Sequence, residues 1–253
     1  MKNLFFLFFF CLSLTLVAQD AEEKAPDYVM FQTILLEPDL EDLPQLMANL
    51  AAHNKKYHTA GTPYASTVYR IATGPNVGKL VWMMGPCTWS DLDHRPSDEG
   101  HDEDWMNNVM TLLEGIEHGE YWKLDADLSK NPMAEQFKMY YIRYHEFSKT
   151  EGYRAQAALE KIAETMKAMD EVKHWSVYDN LLRQGYKTGR HLAMVSGMNS
   201  WSEMEDNWPF RSTFEEKYSK SEFDNFVREM EASSTNSWDE IWVYDAYLSG
   251  REE

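Results

Sequence analysis

Residues 28–36 are rich in β-branched and aromatic side chains and read as a strand, which Pro38 and Asp39 break. In 40–57 the apolar residues Leu43, Leu46, Met47, Leu50 and Ala51 recur three and four apart, a helical stripe with Pro44 in its first turn. Residues 67–72 and 79–84 read as strands joined through the turn Gly74-Pro75-Asn76-Val77-Gly78. A second stripe, Trp105, Val109, Leu112, Leu113 and Ile116, predicts a helix stopped by Gly119, and 121–128 closes the series as a strand. The order then recurs. Residues 137–146 form a strand, and a helix from Thr150 carries Tyr153, Leu159, Ile162, Ala163, Met166 and Met169. Strands 175–182 and 191–196 flank a turn at 185–189. A capping box at Ser219 to Glu222 opens a helix with Phe223, Phe226, Val227 and Met230, and 241–248 is the last strand.

The residues themselves repeat along with the pattern. Glu-Tyr-Trp-Lys-Leu-Asp-Ala-Asp-Leu-Ser at 120–129 returns as Glu-Ile-Trp-Val-Tyr-Asp-Ala-Tyr-Leu-Ser at 240–249, and 80–93 matches 192–205 without a gap. The spacing between matched positions grows along the chain, so insertions fall in loops. Two β-α-β-β-α-β units are expected, at 28–130 and 136–250, linked across Lys130 to Gln136 with Pro132 between them.

Ahead of the first unit, Lys2, the apolar run 4–17 and the small-residue step at Ala18-Gln19 read as a secretory signal peptide over 1–18, followed by a charged leader at 19–27. The run is shorter than the roughly 20 residues of a membrane span. The expected location is periplasmic or extracellular, with no stable membrane insertion after cleavage. The formal net charge of −18 becomes one unit more negative when Lys2 is lost, which disfavours nucleic acid as a partner. Cys87 is the sole cysteine beyond the signal, so no intrachain disulfide, CxxC pair or thiolate metal cluster forms. Stability rests on a core fed by nine tryptophans.

Trp89-Ser90-Asp91-Leu92-Asp93 and Trp201-Ser202-Glu203-Met204-Glu205 follow the third strand of each unit. They read as helix starts in which the serine hydroxyl accepts from a free backbone N–H and the acids favour the positive helix end. A strand, then Trp-Ser-acid-apolar, then a helix, inside such a unit, resembles the dimeric α+β barrel superfamily of antibiotic-biosynthesis-type monooxygenases and NIPSNAP-like proteins. The resemblance spans about residues 27–250. It implies an α+β fold of two tandem ferredoxin-like units forming a pseudo-dimeric barrel within one chain, able to stand as a monomer. It also implies a small molecule or haem held between a sheet and its helices; no motif requires a cofactor.

Chemistry is sought where the units differ. Arg143 and His145 stand where the first unit has Ile34 and Leu36, and Tyr141, Arg143 and His145 alternate onto one strand face. As a catalytic set, histidine relays a proton and arginine holds an anion; as structure, they are solvated or paired with acids. Trp82, Trp122 and Trp242 are the candidate ligand-binding residues, and equally good core. His53, Tyr57 and His58 end the first helix, where cationic histidine suits the dipole and where haem ligation has no supporting motif. The stretch 91–104 holds seven acids with His94 and His101 but lacks calcium-loop spacing, and no metal site is assigned. His191 opens a strand and adds little. Whether the protein is an enzyme stays open. The leading reading is an exported protein binding an apolar or aromatic small molecule between sheet and helices. The alternatives are a cofactor-free monooxygenase-like or haem-related enzyme, and a non-catalytic interaction module.

Overall fold

Strand alternation sets the architecture, because each strand has one face toward the interior of a barrel and one toward helices. The computed structural model describes residues 28–251 apart from 96–99, 133–135, 149, 183–191 and 206. The signal peptide, the leader, the turn at 185–189 and His191 lie outside the described residues. The first half comprises β1 (Met30–Pro38), α1 (Leu43–Tyr57), β2 (Ser66–Thr73), β3 (Leu80–Cys87), the short α2 (Trp89–Asp93) and α3 (His101–Asp104), and β4 (Leu113–Lys130). The second comprises β5 (Met139–Phe147), α4 (Ala155–Ala168), β6 (Trp175–Asn180), β7 (Leu192–Met198), α5 (Phe210–Lys217), α6 (Lys220–Ser233) and β8 (Ser234–Asp245). No described helix is long and apolar enough to cross a membrane.

The eight strands close into an antiparallel barrel in the order β1-β3-β2-β8-β5-β7-β6-β4. Within each half the order is the ferredoxin-like one, fourth strand beside first, then third, then second. The halves meet twice in the same way. The second strand of each pairs with the fourth of the other, β2 with β8 (Tyr69 opposite Tyr244) and β6 with β4 (Tyr178 opposite Leu124). Among the described residues, closure leaves no free sheet edge.

Inward faces supply one core, with Leu35, Tyr69, Val81, Trp122, Ile142, Tyr144 and Trp242 among its buried residues. Outward faces supply two more. Leu46 and Leu50 of α1 pack on Leu36, Val68, Leu80 and Trp82. Leu159, Ile162 and Met166 of α4 pack on Trp175, Val177 and Leu192, with Phe210 and Phe226 of α5 and α6 alongside. Removing a fully buried leucine such as Leu50 would cost about 2–5 kcal/mol.

Three local expectations are corrected. The helix expected through Ile116 ends early. After α3 the chain passes through one π-helical turn at Trp105–Val109 and a 3-10 turn at Met110–Leu112, and Leu113 already begins β4. Ile116 pairs with Leu36 across the ladder, and Gly119 is a strand residue, not a helix stop. The capping residue of α2 is Thr88, whose hydroxyl accepts from Asp91 N–H while the Asp91 carboxylate accepts from Thr88 N–H. Trp89 takes the first helical position, so Ser90 comes too late to cap. At the matching turn Glu203 accepts from the backbone of Asn199 and Ser200. The capping box at Ser219 keeps its first arm, the hydroxyl accepting from Glu222 N–H at 3.3 Å.

Candidate metal centre

Three histidines that are remote in sequence meet beneath the first helical layer. Helix α1 runs over the sheet with its last buried turn at His53 and Asn54, and His58 follows one residue past its end. Asn54 fixes that turn by donating to Leu248 O at 2.7 Å and accepting from Trp82 Nε1 at 2.9 Å. Helix α3 begins at His101, after Gly100 in the left-handed region at φ 94°. His53, His58 and His101 are all buried, and each offers a ring nitrogen within 4.8 Å of the other two.

Their outer nitrogens are committed. His53 Nδ1 lies 2.7 Å from Asp104 Oδ2, His58 Nδ1 2.8 Å from Tyr64 O, and His101 Nδ1 2.8 Å from Asp102 Oδ1. Carbonyl and carboxylate oxygens only accept, so each Nδ1 carries a proton, and in the neutral ring Nε2 presents a lone pair. These lone pairs face one another. His58 Nε2 and His101 Nε2 are 3.2 Å apart, and His53 Nε2 has no hydrogen-bond partner. Burial, reinforced by the neighbouring His53, His101 and Arg95, lowers His58 to about 3. Burial also lowers His53, against the opposing hydrogen bond to Asp104. Burial of Asp104 would raise its carboxyl, but bonds from His53 and Asn108 outweigh it and hold it below its ordinary value. Neutral imidazoles oriented by carboxylates or carbonyls are the standard arrangement of a nitrogen-ligated metal. Tetrahedral zinc with bonds of about 2.0–2.1 Å needs nitrogens about 3.3 Å apart.

The cluster lines a pocket of about 340 Å3 with Ile34, Trp82, Arg95, Asp102 and Trp105. Trp82 stands edge-on to His58 at 5.0 Å, and Trp105 packs on His53 at 5.1 Å. Arg95, whose Nη1 donates to Gln32 Oε1 at 3.2 Å, is the cation of the pocket among the described residues. The cluster does not fit haem: a porphyrin fills four in-plane positions and leaves one on each face, whereas three imidazoles converge here.

A second chamber of about 220 Å3 lies inside the barrel, and Trp122 and Trp242 line it. The three candidate tryptophans thus all border a cavity, Trp82 in one and the other two in the other. Tyr141, Arg143 and His145 share a strand face, as alternation required, but border neither cavity. Arg143 is paired with Asp239 at 2.8 Å and donates to Tyr141 Oη at 2.7 Å. His145 is buried, stacks on Phe147 and is lowered to about 4, first by burial and then by Arg143. In the acidic stretch, Asp102 and Asp104 orient histidines, while His94 turns back to Ser90 O outside the cluster. A sequence signal for the cluster lies in the helices: α1 carries His53, whereas α4 holds no histidine and buries Ile162, Ala163 and Met166 instead.

No protein-family model matches the sequence, and no curated protein matches it. Among solved structures the chain is similar to an anthrone oxidase-like protein, at 12% identity and TM-score 0.55 over 87% of this chain and 92% of that one. It is similar to a candidate monooxygenase from Fusobacterium nucleatum subsp. nucleatum, at 8% identity and TM-score 0.55 over 86% and 93%. A mutant chlorite dismutase from Candidatus Nitrospira defluvii aligns at 10% identity and TM-score 0.51 over 88% and 93%. At these identities the likeness is one of fold, the α+β barrel with ferredoxin-like strand order.

Proposed function

We propose that this is an exported metalloprotein in which His53, His58 and His101 hold a zinc-class divalent ion, with a small apolar or aromatic molecule meeting it in the pocket between sheet and helices. One observation carries the reading: three buried Nε2 lone pairs converge while every Nδ1 is held by an acceptor. Imidazole sets of this type suit zinc, copper, iron or nickel rather than calcium or magnesium. Three protein ligands leave a coordination position open, and a bound divalent ion there supplies Lewis-acid chemistry. Trp82 and Trp105 would hold the flat or apolar part of the molecule, and Arg95 would favour a negative oxygen near the ion. We also read the matched strand order and the repeated residues as two fused units, 28–130 and 136–250, each serving as the other's partner.

The test is elemental analysis of the purified chain, followed by chelation and back-titration with Zn2+ and Co2+. One equivalent is expected to return, with Co2+ giving the intense visible bands of a four-coordinate site. His53→Ala and His58→Ala are expected to abolish it. Retention of less than a stoichiometric ion at micromolar concentration, or undiminished binding by both variants, overturns the proposal. Absorbance at haem wavelengths would favour the haem-related alternative instead.

A further inference from the structure

The chamber inside the barrel follows a different chemical logic from the histidine pocket. Trp122 faces it from β4 and Trp242 from β8, at matching places in the two halves. Tyr69 of β2 meets Tyr140 of β5 edge-on at 5.7 Å, and Phe31 of β1 meets Tyr178 of β6 edge-on at 6.0 Å. Both contacts cross between the halves, so aromatic rings stand on opposite sides of the space. No Asp, Glu, Lys or Arg is among the described residues lining it. His174 is kept neutral there, lowered by burial to about 4, and burial pushes the Tyr69 phenol well above its ordinary value. An ion entering would shed its hydration without meeting an opposite charge. A neutral ring, by contrast, gains stacking and edge contacts.

Size and access narrow the class further. A dry cavity of about 150 Å3 holds one benzene, so about 220 Å3 accommodates a fused pair of rings. Thr33, Thr67 and Gln136 bring hydroxyl and amide groups to the wall, enough to orient one oxygen substituent. Gln136 is also exposed, so the chamber reaches solvent at that end of the barrel.

We propose that this chamber is a second binding site, for a flat, uncharged two-ring aromatic molecule bearing a hydroxyl or carbonyl oxygen, and that it works independently of the metal centre. Calorimetric titration of the full chain with 2-naphthol, and in parallel with 2-naphthalenesulfonate, tests it. In chelator-treated protein, where the histidine pocket has no ion to hold an anionic ring, naphthol is expected to bind with one site and the sulfonate at least about tenfold more weakly, and metal loading is expected to leave that naphthol site in place. Ala193→Phe places a ring in the chamber and is expected to weaken naphthol at least about tenfold while leaving metal content unchanged. His101→Phe is expected to do the reverse. If Ala193→Phe does not fold, intermolecular NOEs from naphthol to the Ala193 and Ile142 methyls of the unaltered chain decide the matter. Absent binding, naphthol binding that is lost on chelation, equal binding of the sulfonate by chelator-treated protein, or binding undiminished in folded Ala193→Phe overturns the proposal.

Discussion

His58 Nε2 and His101 Nε2 stand 3.2 Å apart while the Nδ1 of each ring faces an acceptor oxygen, so that with both rings neutral two lone pairs point at each other. Two facing lone pairs in a buried place raise the energy of the metal-free chain, and a cation between them removes that cost. His101→Phe keeps a ring against Tyr57 and His53 while deleting one lone pair. The expected outcome has opposite signs in the two states. Denaturant unfolding of the chelator-treated variant should show stability unchanged or raised by about 1 kcal/mol, and stoichiometric metal binding should be lost. Marked destabilisation of the metal-free variant would refute the lone-pair account.

Asp104 acts through His53, holding its Nδ1 at 2.7 Å while itself braced by Asn108. Asp104→Ala frees that ring to rotate and lowers its basicity. Competition against a chromophoric chelator is expected to show metal affinity reduced about 10–100-fold, with circular dichroism unchanged. An affinity equal to wild type would mean that Asp104 does not orient the ligand.

Most strands were legible because alternation and β-branched or aromatic content are local, whereas the pairing order was expected only from the resemblance to ferredoxin-like folds. The start of β4 was not legible. Leu112, Leu113 and Ile116 have helical spacing, and only the ladder with Leu36 and Pro38 on the neighbouring β1 makes Leu113 and Ile116 a strand. The histidine cluster was hidden for a related reason. His53 and His58 read as helix-end residues and His101 as part of an acidic run, and their meeting depends on α3 packing against α1. Comparing units pointed to the right place from the wrong side. Ile34, whose counterpart is Arg143, borders the pocket, while Arg143 is taken up by Asp239.

Outside the histidine pocket, His145 is a residue whose charge the fold resists. Its value falls from 6.5 to about 4, and its Nδ1 is buried without a partner. A lowered value means that the unfolded chain takes up the proton first, so this stability is complete above 6.5 and is lost as pH falls toward 4. Relative to His145→Phe, wild type should lose about 2–3 kcal/mol between pH 7 and pH 4. Paired guanidinium titrations across that range measure the difference, and a flat difference curve would contradict it. At pH 7 the variant should be as stable as wild type or slightly more so, since an unsatisfied nitrogen has gone.

Gly250 packs the turn after β8 against helix α1, which carries His53. Its φ is 69°, and a Cβ there would clash with Lys55 N and lie 2.9 Å from Asn54 C, backbone atoms of the turn that follows His53. Neither the left-handed backbone nor the backbone contact can yield cheaply to a side chain. Gly250→Ala must therefore lift the terminal turn, which also carries Leu248, the carbonyl partner of Asn54 and a fully buried member of the core. The expected loss is about 2–4 kcal/mol. Because Asn54 adjoins His53, the damage should reach the metal. Thermal unfolding with and without Zn2+ should show a lower midpoint in both conditions and a smaller zinc-induced rise than in wild type. A variant with the full zinc-induced rise would show that the turn supports the fold without positioning the histidines.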